Sequence, residues 1–475
     1  MNYLKLFFLG ILLGVLLFLS PGSFCIVSFT ALFLFHIYAK GASREKYFLV
    51  NLFAFAFFTR ALFFFFMSGT LVWQDHILTY PGYPGWAPNI PNLFGDSSYY
   101  ALRGYWMALD WKQVALSDKV LRSAYNPIYG WHGYSYIVAL YHYIFGFSPV
   151  STALMNCLFG ALLAILSYFI ARMFLTEMVS RLFAVIVAFF PSLFFWSTTN
   201  LKDIPVILLT FFIFWSFLCF YKSQGRKRIK FLLFLLFGLL IQAKFRIFLM
   251  PLTALSIIIS YFIIANKPKG ALRVMGFVIF LSILVLIAFR KVDFKKLDTF
   301  FRYKIFRALS IHQAGALDKG SNYRILEDKY YILNKNFKYL RDRDEENYLF
   351  PLTRLTYGQY LAAYTRGVIH FLFEPFPRRV DNWLKMIAFI QVVYWYILIP
   401  FALWGLFIVS RYKWKECMVF FVYSFILVSV CALTQANIGT VFRFRDMVTP
   451  VFLLWAAVGL VKASGGRIIK REEPA

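Results

Sequence analysis

The sequence predicts an all-α fold: a polytopic helical membrane protein of about twelve spans, with two outer-face segments, one forming a small, mostly helical cap. Three observations predict it. Apolar runs of about twenty residues recur along the chain. Of 475 residues, 61% are hydrophobic, 59 of them Phe. Basic residues collect in short loops on one side of these runs. Such a composition excludes a soluble globule. The formal charge of +28 would suit nucleic acid, but its placement follows the positive-inside rule, and no nucleic-acid partner is expected.

Spans are expected at 4–19, 23–39, 47–67, 149–173, 181–197, 204–221, 230–242, 247–265, 273–289, 384–409, 416–433 and 446–463. The first run, Tyr3 to Ser20, resembles a signal peptide, but Pro21-Gly22-Ser23 and a second apolar run follow at once, so residues 1–46 read as a retained helical hairpin. An even number of spans puts both termini on one side. Lys40/Arg44/Lys46, Lys222/Arg226/Lys227/Arg228, Lys267/Lys269/Arg273, Arg411/Lys413/Lys415 and the tail Arg467/Lys470/Arg471 mark that side as cytoplasmic. The four parts expected are the hairpin 1–46, a transmembrane module 47–289, an outer cap 290–383 and C-terminal helices with a basic cytoplasmic tail, 384–475.

Parity places 68–148 and 290–383 outside. Gly133 to Phe147 is aromatic and too short for a span, so it reads as an interfacial or re-entrant helix. The cap holds a helical stretch at Leu326 to Leu340, then the charged run Arg341 to Glu346. Its excess of basic over acidic residues does not disturb the orientation, since long translocated segments escape the charge rule. The five cysteines lie in or beside apolar runs without metal spacing and read as small buried hydrophobes.

Chemistry is sought at the outer face. In Phe94-Gly95-Asp96-Ser97-Ser98-Tyr99-Tyr100 a carboxylate opens an aromatic amphipathic helix beside the bilayer. It is a candidate acid/base and a natural helix N-cap, two roles that can coexist. Asp75, Asp110 and Asp118 are rivals, of which Asp75 and Asp110 read as solvated or interfacial. His132, where the chain returns to the membrane, suits a sugar or phosphate hydrogen bond or a half-buried structural role. Lys202 and Asp203, after Pro191 to Leu201, offer a cation and a carboxylate at a bilayer boundary, or a helix-turn ion pair with Asp203 at a helix start. Lys244/Arg246 and Arg443/Arg445 are outward cations, suited to phosphate or to snorkelling anchorage.

In order, these pieces resemble the GT-C superfamily of integral-membrane glycosyltransferases, especially the bacterial branch similar to protein-O-mannosyltransferases and lipid A aminoarabinose transferases. The resemblance rests on Gly95 to Tyr100 with Asp110-Trp111, Tyr143 to Ser148, Pro191 to Asp203, Phe373-Glu374-Pro375-Phe376-Pro377, and Arg443-Phe444-Arg445 with Pro450. It implies that 47–289 is a catalytic module, with Asp96 as base and a polyprenyl-phosphate sugar as donor. Lys202, Arg246, Arg443 and Arg445 would meet the donor phosphate, and Tyr99, Tyr100, His132 and Asp203 would line the substrate site. The acceptor would be a glycan, glycolipid or protein, in contact with membrane lipid at the outer face of the inner membrane.

The sequence departs from the family in three ways. Two extra spans precede the acidic loop, Asp96-Ser97 replaces an acidic pair, and the Trp-Trp-Asp signature of oligosaccharyltransferases is absent, which argues against transfer to asparagine. No cofactor is required by the implied reaction, and the pattern does not assign a divalent metal. A polyprenyl-linked glycan polymerase or ligase is the alternative and would depend on Arg rather than Asp96. A transporter would carry more ionisable residues within its spans, where Arg60 is the clearest charge, and an internal repeat, which is not seen.

Overall fold

The computed structural model describes residues 20–39, 43–69, 96–125, 133–265, 357–374, 376, 383–435 and 438–469. Every secondary-structure element among them is a helix. Contacts divide the chain into two compact units, Met1–Met250 and Pro251–Ala475.

The first unit holds α1 (Pro21–Ala39), α2 (Arg44–Gly69), α3 (Asp96–Trp111), α4 (Asp118–Tyr125), α5 (Gly133–Phe145), α6 (Pro149–Arg172), α7 (Glu177–Phe189), α8 (Pro191–Trp196), α9 (Asp203–Lys222) and α10 (Gly225–Phe245). At its centre α6 packs against α1, α2, α7 and α9. Its buried face is rich in small residues, among them Ser151, Ala153, Gly160, Ala161, Ala164, Ser167 and Ala171, which let neighbouring backbones approach closely. α1 and α6 both start on Ser-Pro, where the missing proline N–H costs no helical bond. Ser20 and Ser148 meet there with Ser23 and Ser151 in a mutually hydrogen-bonded cluster. Tyr141 of α5 donates to the Gly22 carbonyl (2.6 Å), so the second helix of the expected hairpin is built into this unit.

In the second unit are α11 (Leu249–Ala265), which starts at the boundary, α12 (Tyr357–Phe373), α13 (Trp383–Tyr412), α14 (Trp414–Thr434), α15 (Ile438–Arg445) and α16 (Thr449–Ala463). α13 packs along α16, and α12 against α14 and α15. Gly405 and Gly459 set the α13–α16 crossing. A Cβ on Gly405 would lie 1.8 Å from the Trp455 carbonyl oxygen, and one on Gly459 2.0 Å from that of Phe401.

Five described helices are long and apolar enough to cross a membrane: Arg44–Met67, Pro149–Arg172, Asp203–Lys222, Phe389–Tyr412 and Trp414–Thr434. The expected spans at 4–19 and 273–289 lie outside the described residues, as do Leu326 to Leu340 and the charged run after it; the other expected spans fall on helices. Two differ from expectation. The run 181–197 is not one helix: Phe190 turns extended (φ −62°, ψ 124°) ahead of Pro191, whose nitrogen cannot continue the hydrogen-bond ladder. The run 230–242 is the core of a longer helix, α10, whose first turns carry Arg226, Lys227, Arg228 and Lys230.

Candidate functional site

Helix α3 begins at Asp96, as a carboxylate at a favourable helix start predicts. The next residue, Ser97, is fully buried, and its Oγ accepts the backbone N–H of Asn200 (3.2 Å). The Asn200 side chain accepts the Tyr134 hydroxyl (2.5 Å) and donates toward the Ser97 carbonyl (3.5 Å). Burial raises the Tyr134 phenol well above its ordinary range, so it stays protonated and donates. From α6, Asn156 Nδ2 donates to the carbonyls of Thr199 (2.5 Å) and Leu201 (2.8 Å). The turn between α8 and α9 is thereby tied to the start of α3, to α5 and to α6. Backbone groups that a buried turn would leave unpaired are satisfied by side chains.

That turn delivers Lys202 and Asp203. The half-buried Lys202 places its Nζ 5.6 Å from the Tyr100 ring centroid, within cation–π range. Tyr99 meets Tyr100 edge-on (5.6 Å) and carries the Arg103 guanidinium over its face (4.3 Å). Asp203 opens α9 and pairs with Arg246, the residue closing α10. Because α9 and α10 are antiparallel neighbours, the carboxylate sits at a helix N-terminus and the guanidinium at a C-terminus, so each charge suits its own dipole as well as its partner. Nearby, Gln242 Nε2 donates to Thr210 Oγ1 (2.8 Å).

The rivals of Asp96 are placed as well. Asp110 accepts the Tyr125 hydroxyl (2.6 Å); burial and that carboxylate push Tyr125 up to about 12. Asp118 opens α4. Asp75 and His132 lie outside the described residues, as does the Asp96 side chain. A different histidine, His142, is buried on α5; its Nδ1 accepts the Ser148 N–H (3.2 Å), and burial lowers its pKa to about 4.

The second unit has its own buried polar cluster. Arg445 closes α15 and donates through Nη1 to the carbonyls of Glu374 (2.7 Å) and Leu372 (3.2 Å) at the end of α12. Burial lowers its pKa to about 10, still charged at neutral pH. Glu374 accepts the Phe376 N–H (3.0 Å) and lies 3.4 Å from His370 Nδ1. Asp446 accepts from Gln391 (3.4 Å) and Thr449 (3.2 Å). Arg443 is half-buried.

Residues 132–292 match the model of the dolichyl-phosphate-mannose-protein mannosyltransferase family. No curated protein matches the chain. The matched stretch covers about a third of the sequence and includes α5 to α11, with Asn156, Asn200, Lys202, Asp203 and Arg246. It supports a GT-C type, multi-pass membrane glycosyltransferase that uses a polyprenyl-phosphate sugar.

Of the residues singled out in the sequence, Tyr99, Tyr100, Lys202, Asp203, Arg246 and the helix start at Asp96 gather in the first unit, whereas Arg443 and Arg445 belong to the second. Sequence reasoning missed Asn156, Asn200 and Tyr134. Their signal was faint: a polar residue within an apolar run, as at Asn156, and a Thr-Thr-Asn turn next to a helix start. Among the described residues no group of three or more His, Cys, Asp or Glu is arranged to hold a metal ion.

Proposed function

We propose that this protein is an inverting glycosyltransferase that moves a hexosyl or pentosyl group from a polyprenyl-phosphate donor to a glycan, glycolipid or protein acceptor at the outer face of the cell membrane. The observation that carries the reading is the tie between the start of α3 and the Lys202 turn, through Ser97 and Asn200, within a chain similar to the mannosyltransferase family.

Asp96 takes the proton of the acceptor hydroxyl as its oxygen attacks the anomeric carbon from the face opposite the phosphate. The bond from that carbon to the phosphate oxygen breaks, and the polyprenyl phosphate leaves as an anion. Lys202 supplies positive charge for the departing phosphate, with the Asp203–Arg246 pair fixing its position. Tyr100 steadies Lys202 through its ring, and Tyr99 carries Arg103 beside it. The proposed reaction requires no cofactor, and the reading assigns no role to a divalent metal. The alternative, a polyprenyl-linked glycan polymerase or ligase, would depend on arginine rather than on Asp96.

The test is transfer of radiolabelled sugar from a panel of polyprenyl-phosphate donors in membranes holding the wild type or Asp96→Asn. Wild-type transfer should fall by roughly 100- to 10,000-fold in the variant, the usual contribution of a general base, with protein level and donor binding retained. Undiminished transfer would leave Asp96 as a helix cap. Absence of transfer from every donor would sink the proposal.

A further inference from the structure

Arg60 lies well inside α2, a helix long and apolar enough to cross a membrane, and is 1% exposed. A charge in the middle of such a helix is costly, which makes it a candidate for a role beyond packing. No carboxylate pairs with it among the described residues. Its guanidinium is instead divided among three neutral acceptors, on two helices and the turn after a third. Nη1 donates to the Ala56 carbonyl of its own helix (2.8 Å), Nη2 to the Ala188 carbonyl at the end of α7 (2.5 Å), and Nε to Ser197 Oγ just after α8 (2.7 Å). The face of Phe194 lies 5.0 Å away.

These partners bracket the break at Pro191. Ala188 belongs to the last turn of α7, where carbonyls lack helical donors and the dipole favours a cation. Ser197 cannot rotate at will, since its Oγ–H donates to the Phe194 carbonyl (2.6 Å) while its lone pair receives Arg60. The meeting point is closely fitted: a Cβ at Gly160 of α6 would lie 2.7 Å from Arg60 Nε and 2.7 Å from Ser197 Cβ. Beyond Ser197 come Thr199, Asn200 and Leu201, which Asn156 and Ser97 hold, and then Lys202.

We propose that Arg60 is a positioning residue: it sets the angle of the α7–α8 break and the entry of the Ser197–Lys202 turn, and so places Lys202 for the reaction. The inference rests on the glycosyl-transfer reading for its catalytic part only. A lysine cannot replace it, because one ammonium lacks the planar fork that reaches three divergent acceptors.

Two measurements test it. In hydrogen exchange on the purified full-length protein, Arg60→Gln and Ser197→Ala should quicken exchange at 189–202 at least tenfold, with α6 and the body of α9 unchanged. Unaltered exchange in that segment overturns the proposal whatever the activity. In transfer assays Arg60→Gln and Arg60→Lys should lower kcat at least tenfold with donor KM within about threefold. The Arg60→Gln effect should largely vanish when Lys202 is already Ala, because residues acting through one group are not additive. Additive losses, or full kcat in either Arg60 variant, would make Arg60 a fold staple alone. Wild-type protein that transfers no sugar would sink the functional reading and leave the exchange result standing as the measure of Arg60.

Discussion

Lys202 and Asp203 adjoin in sequence, yet the fold assigns them to different partners. Read along the chain, they form a local pair; in three dimensions Asp203 turns to Arg246, forty-three residues on, and Lys202 to the ring of Tyr100. Arg246 was legible as an outward cation, but its partner was not, because nothing in the spacing says that the start of α9 and the end of α10 abut. With Asp203 1% and Arg246 8% exposed, removing either side chain breaks a buried ion pair. Asp203→Ala and Arg246→Ala should each cost about 3–5 kcal/mol in denaturant unfolding of detergent-solubilised protein, and the double variant less than their sum. His142 allows a pH prediction of definite sign. Its folded pKa of about 4 lies below the unfolded value of about 6.5. The unfolded chain therefore takes up a proton first. Stability from this group is complete above about pH 6.5 and is lost as pH falls toward 4, by ~3 kcal/mol in all. Unfolding midpoints measured between pH 7 and 4 should drop for the wild type and drop less for His142→Asn, whose amide oxygen can still accept the Ser148 N–H.

At the scale of elements, apolar runs located most of the long helices among the described residues to within a few residues, because length and burial in lipid leave helices few alternatives. They failed at 181–197, where hydropathy continues across a proline that the backbone cannot ignore. Hydropathy is also blind to how helices cross, which is decided by single small residues. Gly405 and Gly459 show this: each stands where the facing helix presents a carbonyl oxygen at about 2 Å from any added Cβ. No side-chain rotation relieves such a clash, since the obstacle is backbone. Gly405→Ala should therefore force α13 and α16 apart and destabilise the protein by several kcal/mol, well beyond the usual overpacking cost of 1–3 kcal/mol. Gly358→Ala serves as the control: it lies in α12 with no atom among the described residues within 4 Å of its Cβ, and helix propensity alone should stabilise it by about 1 kcal/mol or less. Thermal unfolding of both variants separates crossing geometry from a general intolerance of alanine.

For the whole molecule, the membrane class and helical architecture were readable from composition, while the buried turn that gathers the candidate site was not, since it depends on contacts between residues about a hundred positions apart, such as Ser97 and Asn200. Orientation rests on whether α5 crosses the bilayer. Its thirteen residues span about 20 Å, short of the ~30 Å hydrocarbon core. Its exposed face, with Tyr136, Leu140, Tyr143 and Ile144, carries the aromatics favoured at a membrane interface. If α5 lies in the interface, the turn between α9 and α10 faces the cytoplasm, as its Lys222 and Arg226–Arg228 demand, and the α3–α4 turn faces outward. A cysteine-free background with a single Cys at Gln113 should then react with a membrane-impermeant maleimide in intact cells. One with a single Cys at Gln224 should react only after permeabilisation. If α5 crossed instead, Gln113 and Gln224 would lie on the same side and label together. The Lys202 turn, at the opposite end of α9 from Gln224, would move to the cytoplasmic side with that change, so the labelling pattern decides on which face of the membrane the proposed transfer occurs.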